Sequence, residues 1–196
     1  MSLIAKMLKQ KGFTLLEVMV VLTIIALILG MATLSSGGNE QKQEAQQQAL
    51  RLIAQFDAYR NEAVFQNIDL GLAMDGQSTQ LLTFINIQSP QQIEGKSTEE
   101  ISQLKDNPWS PYAGNLINAT ELPETLFFNV FLEDKPIDFA ELVNDDEVKP
   151  AILFLSSDEY TPFKMNLQNQ HDESFSIIIE GDGFSRFQMR TENYDL

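Results

Sequence analysis

"KQKGFTLLEVMVVLTIIALILG", Lys9 to Gly30, governs how the rest of the chain is read. It is a long apolar run with one carboxylate, Glu17, about a turn inside its start, and a short basic segment ending in Gly12 precedes it. From Phe13 to Leu34 the residues are mostly Leu, Ile, Val, Met and Ala. Twenty-odd residues at about 1.5 Å each give roughly 30 Å, the thickness of a bilayer's hydrocarbon core. Lys6, Lys9 and Lys11 stand on the N-terminal side with no acid among them. That bias puts the start of the chain in the cytoplasm and the rest across the membrane. A secretory signal peptide would be shorter and followed by small residues, which "MATLSSGG" (Met31–Gly38) supplies; a plain anchor is the other simple alternative. Glu17 counts against both. An ionisable residue inside a span costs roughly a few kcal/mol and is ordinarily there to meet a partner.

No basic residue lies between Gly12 and Lys42, so the countercharge is expected from outside this stretch. A cut between Gly12 and Phe13 would create an α-amino group four residues from Glu17. In an assembly, the amine of one subunit would then meet Glu17 of its neighbour.

"KGFTLLEVMVVLTIIALI" closely resembles the class III signal of type IV pilins and type II secretion pseudopilins. Gly12, Phe13 and Glu17 match that pattern position for position. The resemblance implies that a prepilin peptidase cuts after Gly12 and methylates the new N-terminus at Phe13, and that Glu17 serves subunit registry. Beyond the apolar run, Gly30 and the pair Gly37-Gly38 lower helix propensity by about 1 kcal/mol each. A bend or melted turn near Ser35–Asn39 is expected there in preference to a continuous helix.

Setting the N-terminal segment aside leaves enough chain for one domain with a core. Apolar content of 43% argues against wholesale disorder. After Thr33 there are 10 basic and 27 acidic residues, a net charge of −17. Such a surface repels phosphate backbones, so no nucleic acid is expected as a partner. With no cysteine, disulfide, zinc-finger, iron–sulfur and thiol-nucleophile chemistry are all excluded.

From Glu40 to Gln66, Ala45, Ala49, Leu52, Ile53, Phe56, Tyr59 and Ala63 recur at three- and four-residue steps. That spacing predicts an amphipathic helix packing one stripe on a domain. Past Asn67 the pattern turns to short apolar runs between turn residues. "IDLGLAMD" (Ile68–Asp75) alternates, and with "QLLTFINI" (Gln80–Ile87) predicts a hairpin. Leu126–Leu132, Ala151–Leu155, Phe163–Gln168, Phe175–Gly181 and Phe184–Met189 are further strand candidates, the last two turned by Gly181-Asp182-Gly183. Ser89–Glu124, with Pro90, Pro108, Pro111 and Pro123, reads as a long loop pinned by Trp109 and Tyr112. Glu133–Lys149 reads as a second, acidic loop. The fold class expected is α+β: one long N-terminal helix packed on antiparallel sheets in a pilin-like sandwich. The expected divisions are a leader over 1–12, a membrane and filament-core helix over 13–34, an amphipathic helix over 35–66 and a β-rich domain over 67–196.

"PAILFLSSDEYTPFKMNL" (Pro150–Leu167) resembles a signature of the minor pseudopilin H family (GspH) at Thr161, Pro162 and Phe163. "DNPWSPYAG" resembles an aromatic loop of that family less specifically, and residues 88–149 resemble it least. Pro162 cannot donate to a ladder and so suits the start of a strand, after which Phe163, Met165 and Leu167 would share one face. The resemblance implies a periplasmic, inner-membrane-anchored minor subunit near the tip of a hetero-oligomeric pseudopilus. It would link the minor pseudopilins I, J and K to a shaft of the major pseudopilin G and serve export of folded proteins across the outer membrane. The related FimT proteins of type IV pili are the alternative, some of which bind DNA through basic residues near the C-terminus. Arg186 and Arg190 are the only such residues here, within an acidic tail.

No enzyme signature is present. His171 is the only histidine and falls in a polar turn. There is no HExxH, phosphate-binding glycine loop or nucleophile elbow, and "GDGFSR" (Gly181–Arg186) lacks the third glycine of a dinucleotide fingerprint. Asp145-Asp146-Glu147 lacks the spaced ligands of an EF-hand loop and reads as a solvated run in preference to a calcium site. No catalytic residue, cofactor or metal is expected.

Overall fold

The computed structural model describes residues 15–144 and 147–194. The first element, α1, is a helix of 52 residues over Leu15–Gln66. It is helical through positions 35–39, so the expected melted turn does not occur. Two glycines raise the free energy of those turns, but helix on both sides extends through them without a new nucleation step. Asn67 closes α1 in the left-handed region, φ 54°, while Ile68 N–H donates to the Ala63 carbonyl at 3.0 Å. This is the glycine-type C-cap, here met by an asparagine.

The chain divides into two compact units with the boundary between Glu40 and Gln41. In the first, Leu15–Leu29 are all exposed. In the second, the rest of α1 buries Ala45, Ala49, Leu52, Phe56, Tyr59 and Ala63 at 0–1% exposure, with Ile53 half-buried beside them. The stripe read from the sequence is therefore the helix's core face.

The strands form two larger antiparallel sheets. In the first, β1 (Leu70–Met74) is central and β2 (Ser78–Phe84) flanks it as a hairpin. The Asp75 carboxylate fixes the turn, accepting from Ser78 N at 2.7 Å and Gln77 N at 3.0 Å. The hairpin ends at Phe84, short of the expected Ile87, because Asn86 starts a turn whose side chain accepts from Gln88 N. Every residue of β1 is buried, although its sequence alternates. Leu70, Leu72 and Met74 face the common core. On the other face a Cβ at Gly71 would stand 2.6 Å from Pro150 Cβ and 2.8 Å from the Trp109 ring, so only glycine fits.

The stretch read as a long loop, Ser89–Glu124, is not structureless. It holds α2 (Pro90–Ile93), α3 (Thr98–Asp106), β3 (Trp109–Pro111) and β4 (Ala119–Glu121). A capping box between Ser97 and Glu100 starts α3, with the acids Glu99 and Glu100 in its first turn and Lys105 in its last. β3 and β4 share the outer edge of β2.

The second sheet runs in the order β12-β11-β10-β5-β6. Its members are β5 (Leu126–Leu132) and β6 (Lys135–Pro136), then β10 (Phe163–Asn169), β11 (Phe175–Gly181) and β12 (Gln188–Asn193). Between them the expected acidic loop instead forms a turn of helix, α4 (Phe139–Leu142), and the small ladder β7 (Val143–Asn144) with β8 (Glu147–Val148). Phe139 stacks edge-on to Phe128 at 6.0 Å, which ties that segment to the core. β9 (Ile152–Phe154) returns to pair with β1. β10 alternates strictly, burying Phe163, Met165, Leu167 and Asn169 on one face. The last strand starts at Gln188, four residues later than the expected Phe184. The residues between are a loop, because Asp182 accepts from Phe184 N and Ser185 N and turns the chain before it can pair. One apolar cluster joins the stripe of α1 to the inner faces of both larger sheets.

Candidate functional site

Glu17 lies in the first turn of α1 and is exposed. The apolar side chains on either side of it project outward, from Leu15 at 80% exposure to Ile25 at 46%. Thr23 donates its hydroxyl to the Met19 carbonyl at 2.8 Å, which removes the one polar donor from that surface. Among the described residues no helix is long and apolar enough to cross a membrane. The exposed run of described side chains, Leu15–Leu29, would extend only about 22 Å as a helix. Gly12 and Phe13 lie outside the described residues.

The signature Thr161-Pro162-Phe163 sits where β9, β10 and α1 meet. Thr161 closes a double link to β9: its N–H donates to the Leu153 carbonyl and its hydroxyl accepts from Leu153 N, both at 3.0 Å. Pro162 precedes the first residue of β10, the position expected for it. Phe163 is buried and meets Phe56 of α1 edge-on at 5.7 Å. Phe187 also meets Phe56 at 5.7 Å and lies 4.7 Å from Tyr160.

Over this aromatic cluster lies Arg60. Its guanidinium donates to the Asp158 carboxylate at 2.7 Å, to the Ser185 carbonyl at 2.9 Å and to the Phe184 carbonyl at 2.6 Å. Its Cζ stands 5.2 Å from the Tyr160 ring centre, within cation–π range. Tyr160 in turn donates to the Ser185 carbonyl at 2.9 Å, and its backbone N–H donates to the Gly183 carbonyl at 2.8 Å. Hydrogen bonds from Phe184 N and Ser185 N, and then from the Ser185 hydroxyl, hold the Asp182 carboxyl well below the usual range. Gly183 takes φ +104°, where a Cβ would strain the turn. Sequence reasoning singled out the signature and the Gly-Asp-Gly turn but missed Arg60, whose partners lie 98 to 125 residues away.

The Trp109 and Tyr112 pins are in place. Trp109 packs on Phe84 at 5.3 Å, and the Tyr112 hydroxyl donates to Glu62 of α1 at 2.6 Å. Burial, and then the Glu62 carboxylate, push Tyr112 up to about 12. The two C-terminal arginines stand apart from any phosphate-like site. Arg190 is paired with Glu180 at 2.7 Å and Glu192 at 3.2 Å. Arg186 lines a groove with Glu133, Asp134, Glu180 and Asp182. His171 is exposed in its turn. Among the described residues no group of histidine and acidic side chains could hold a metal ion; Asp145 and Asp146 lie outside them.

Residues 7–33 match the model of the prokaryotic N-terminal methylation motif. The chain is 30% identical over 180 residues to the type II secretion system protein H of Pseudomonas aeruginosa, covering 89% of this chain and 92% of that one. It is 24% identical to the protein of the same name from Aeromonas hydrophila, covering 92% and 93%. Its fold is similar to the minor pseudopilin EpsH from the Type 2 Secretion System of Vibrio cholerae, with a TM-score of 0.51 at 18% identity over 76% of this chain and 97% of that one. A methylation-type N-terminus running into a long helix that packs on two antiparallel sheets defines a pilin-like subunit. More particularly, the chain belongs to the family of type II secretion system protein H. These relatives favour the secretion reading over the FimT-like one.

Proposed function

We propose that this chain is a structural subunit of a type II secretion pseudopilus, without catalysis of its own. The observation that carries this is the placement of the methylation motif, residues 7–33, directly ahead of the helical stripe that forms the core of a protein-H-type domain. Residues 1–12 serve as a leader that prepilin peptidase removes at Gly12, leaving Phe13 as the methylated N-terminus. The apolar run 13–34 anchors the subunit in the inner membrane before assembly and forms filament core afterwards. Residues 35–66 continue as the amphipathic helix, and 67–196 form the periplasmic domain. Glu17 meets the N-terminal amine of a neighbour and sets register in a hetero-oligomeric filament. The subunit sits near the tip, between minor pseudopilins I, J and K and a shaft of major pseudopilin G. The ion pairs that already occupy Arg190, with the net charge of −17 after Thr33, speak against a nucleic-acid role.

Secreted enzyme activity in a strain lacking this chain tests the proposal, with periplasmic activity measured alongside. Accumulation in the periplasm is expected. Normal export would overturn the secretion role.

A further inference from the structure

The segment between Gln92 and Asn107 is tied down at both ends and free in the middle. At the near end, Gln92 of α2 accepts from Asn86 N at 2.6 Å. At the far end, Asn107 accepts from Trp109 N at 3.1 Å and donates to the Val148 carbonyl at 3.4 Å, while the Pro108 carbonyl accepts from Ile85 N at 2.8 Å. Between these ties lies α3. Among the described residues, no hydrogen bond, ion pair or ring contact runs from Thr98–Asp106 to anything outside residues 97–107. No other helix or strand packs closely along it. Leu104 is its one buried residue, with Ile101 half-buried and the rest exposed. Elements held by so few buried groups open at a free energy well below that of global unfolding.

The free stretch begins at a hinge. Gly95 takes φ +81°, and a Cβ there would meet nothing within 4 Å. Glycine enters and leaves that conformation without a Cβ clash, and the open space leaves the turn room to change. The features that start and end α3, the capping box of Ser97 and Glu100 and the charges of its first and last turns, are all its own and none reaches the sheets. Nine residues are too few for a helix to be stable alone in water, so once off the domain its amides exchange readily. Glu100, Gln103 and Leu104 form one wall of a groove of about 640 Å³, and Trp109 and Ser110 of β3 form the other. The second wall is rigid, since Trp109 stands on Phe84 at 5.3 Å and over Gly71. The first is held by Leu104 and Ile101 alone. We propose that α3 is a lid, hinged at Gly95 and at its C-cap Asn107, that swings away from Trp109 while both larger sheets stay folded and so opens the groove to the indole.

The test uses the full chain in detergent micelles, with hydrogen exchange read by mass spectrometry of peptic fragments. The α3 amides are expected to exchange at least about a hundredfold faster than those of β1 and β2, at a rate that low urea leaves unchanged. Exchange of α3 in step with β1 and β2, rising with urea, would overturn the lid. Leu104→Ala is expected to speed α3 exchange at least about fivefold while β1 and β2 stay within about twofold of the wild type. Equal acceleration of all three would place Leu104 in the common core and remove the lid. The same variant is expected to raise acrylamide quenching of Trp109 fluorescence, a signal with a single source in this chain. Quenching as in the wild type would overturn the claim that α3 gates the indole.

Discussion

The Arg60 guanidinium on α1 and the Asp158 carboxylate meet at 2.7 Å across 98 residues of chain, and the same guanidinium binds the loop that presents Phe184. Arg60 thereby ties α1 to both the β9–β10 connection and the β11–β12 loop. Its side chain is 13% exposed, whereas that of Asp158 is 61% exposed. Arg60→Ala leaves the carbonyls of Ser185 and Phe184 short of a donor, while Asp158 is rehydrated. A loss of about 2 kcal/mol is expected from the unfolding midpoint in urea. Arg60→Lys is expected to recover less than half, because an ammonium cannot reproduce the planar fork.

Phe56 is the hub of the aromatic cluster, in contact with Tyr59, Phe154, Phe163 and Phe187 and fully buried. Phe56→Ala is expected to cost about 3–5 kcal/mol, and Phe56→Leu about 1.5 kcal/mol, by the same measurement.

Alkaline pH reads out two tyrosines. Burial pushes Tyr59 up to about 12, and burial with the Glu62 carboxylate does the same to Tyr112. Below pH ~10 both folded and unfolded chains keep these phenol protons, so stability is indifferent to pH on their account. Above it the unfolded chain releases them first, and stability falls until the folded phenols also ionise near 12. Melting temperature should therefore drop across that window, less steeply in Tyr112→Phe.

Gly12→Ala should leave the leader attached, visible as an unshifted mass beside the processed wild type. Normal processing would count heavily against the peptidase assignment.

Glu17→Val should be cleaved normally yet assemble poorly, read as loss of secreted activity with a mature-sized product. Full secretion by that variant would remove the registry role.

The sequence showed what repeats and hid what depends on distant partners. The α1 stripe and β10 were legible because their burial follows periods of 3.6 and 2 without a break. The last strand was displaced because Phe184 and Phe187 look like strand positions, whereas Asp182 turns one outward and one inward. α3 was missed although its capping box, Ser97 and Glu100, was in plain view, since only Leu104 of its residues is buried and no apolar run advertises it. β1 alternates in sequence yet is buried on both faces, because Trp109 and Pro150 close over Gly71 from far along the chain. Of the candidate site, Thr161-Pro162-Phe163 was readable as a motif, but the hold of Arg60 on Asp158 and Tyr160 just before it needed the fold.

One pair of contacts bears on the timing of folding. Lys42 reaches Asn193 at 2.7 Å and Gln46 reaches Thr191 at 3.2 Å, partners 151 and 145 positions apart in the chain. The opening turns of the second unit are thus bound by its final strand. A chain made from its N-terminus onward cannot close this core until Thr191 and Asn193 have emerged. Closure of this unit's core is then a late event, waiting on the last strand, and it carries the loop-closure entropy of contacts between distant parts of the chain.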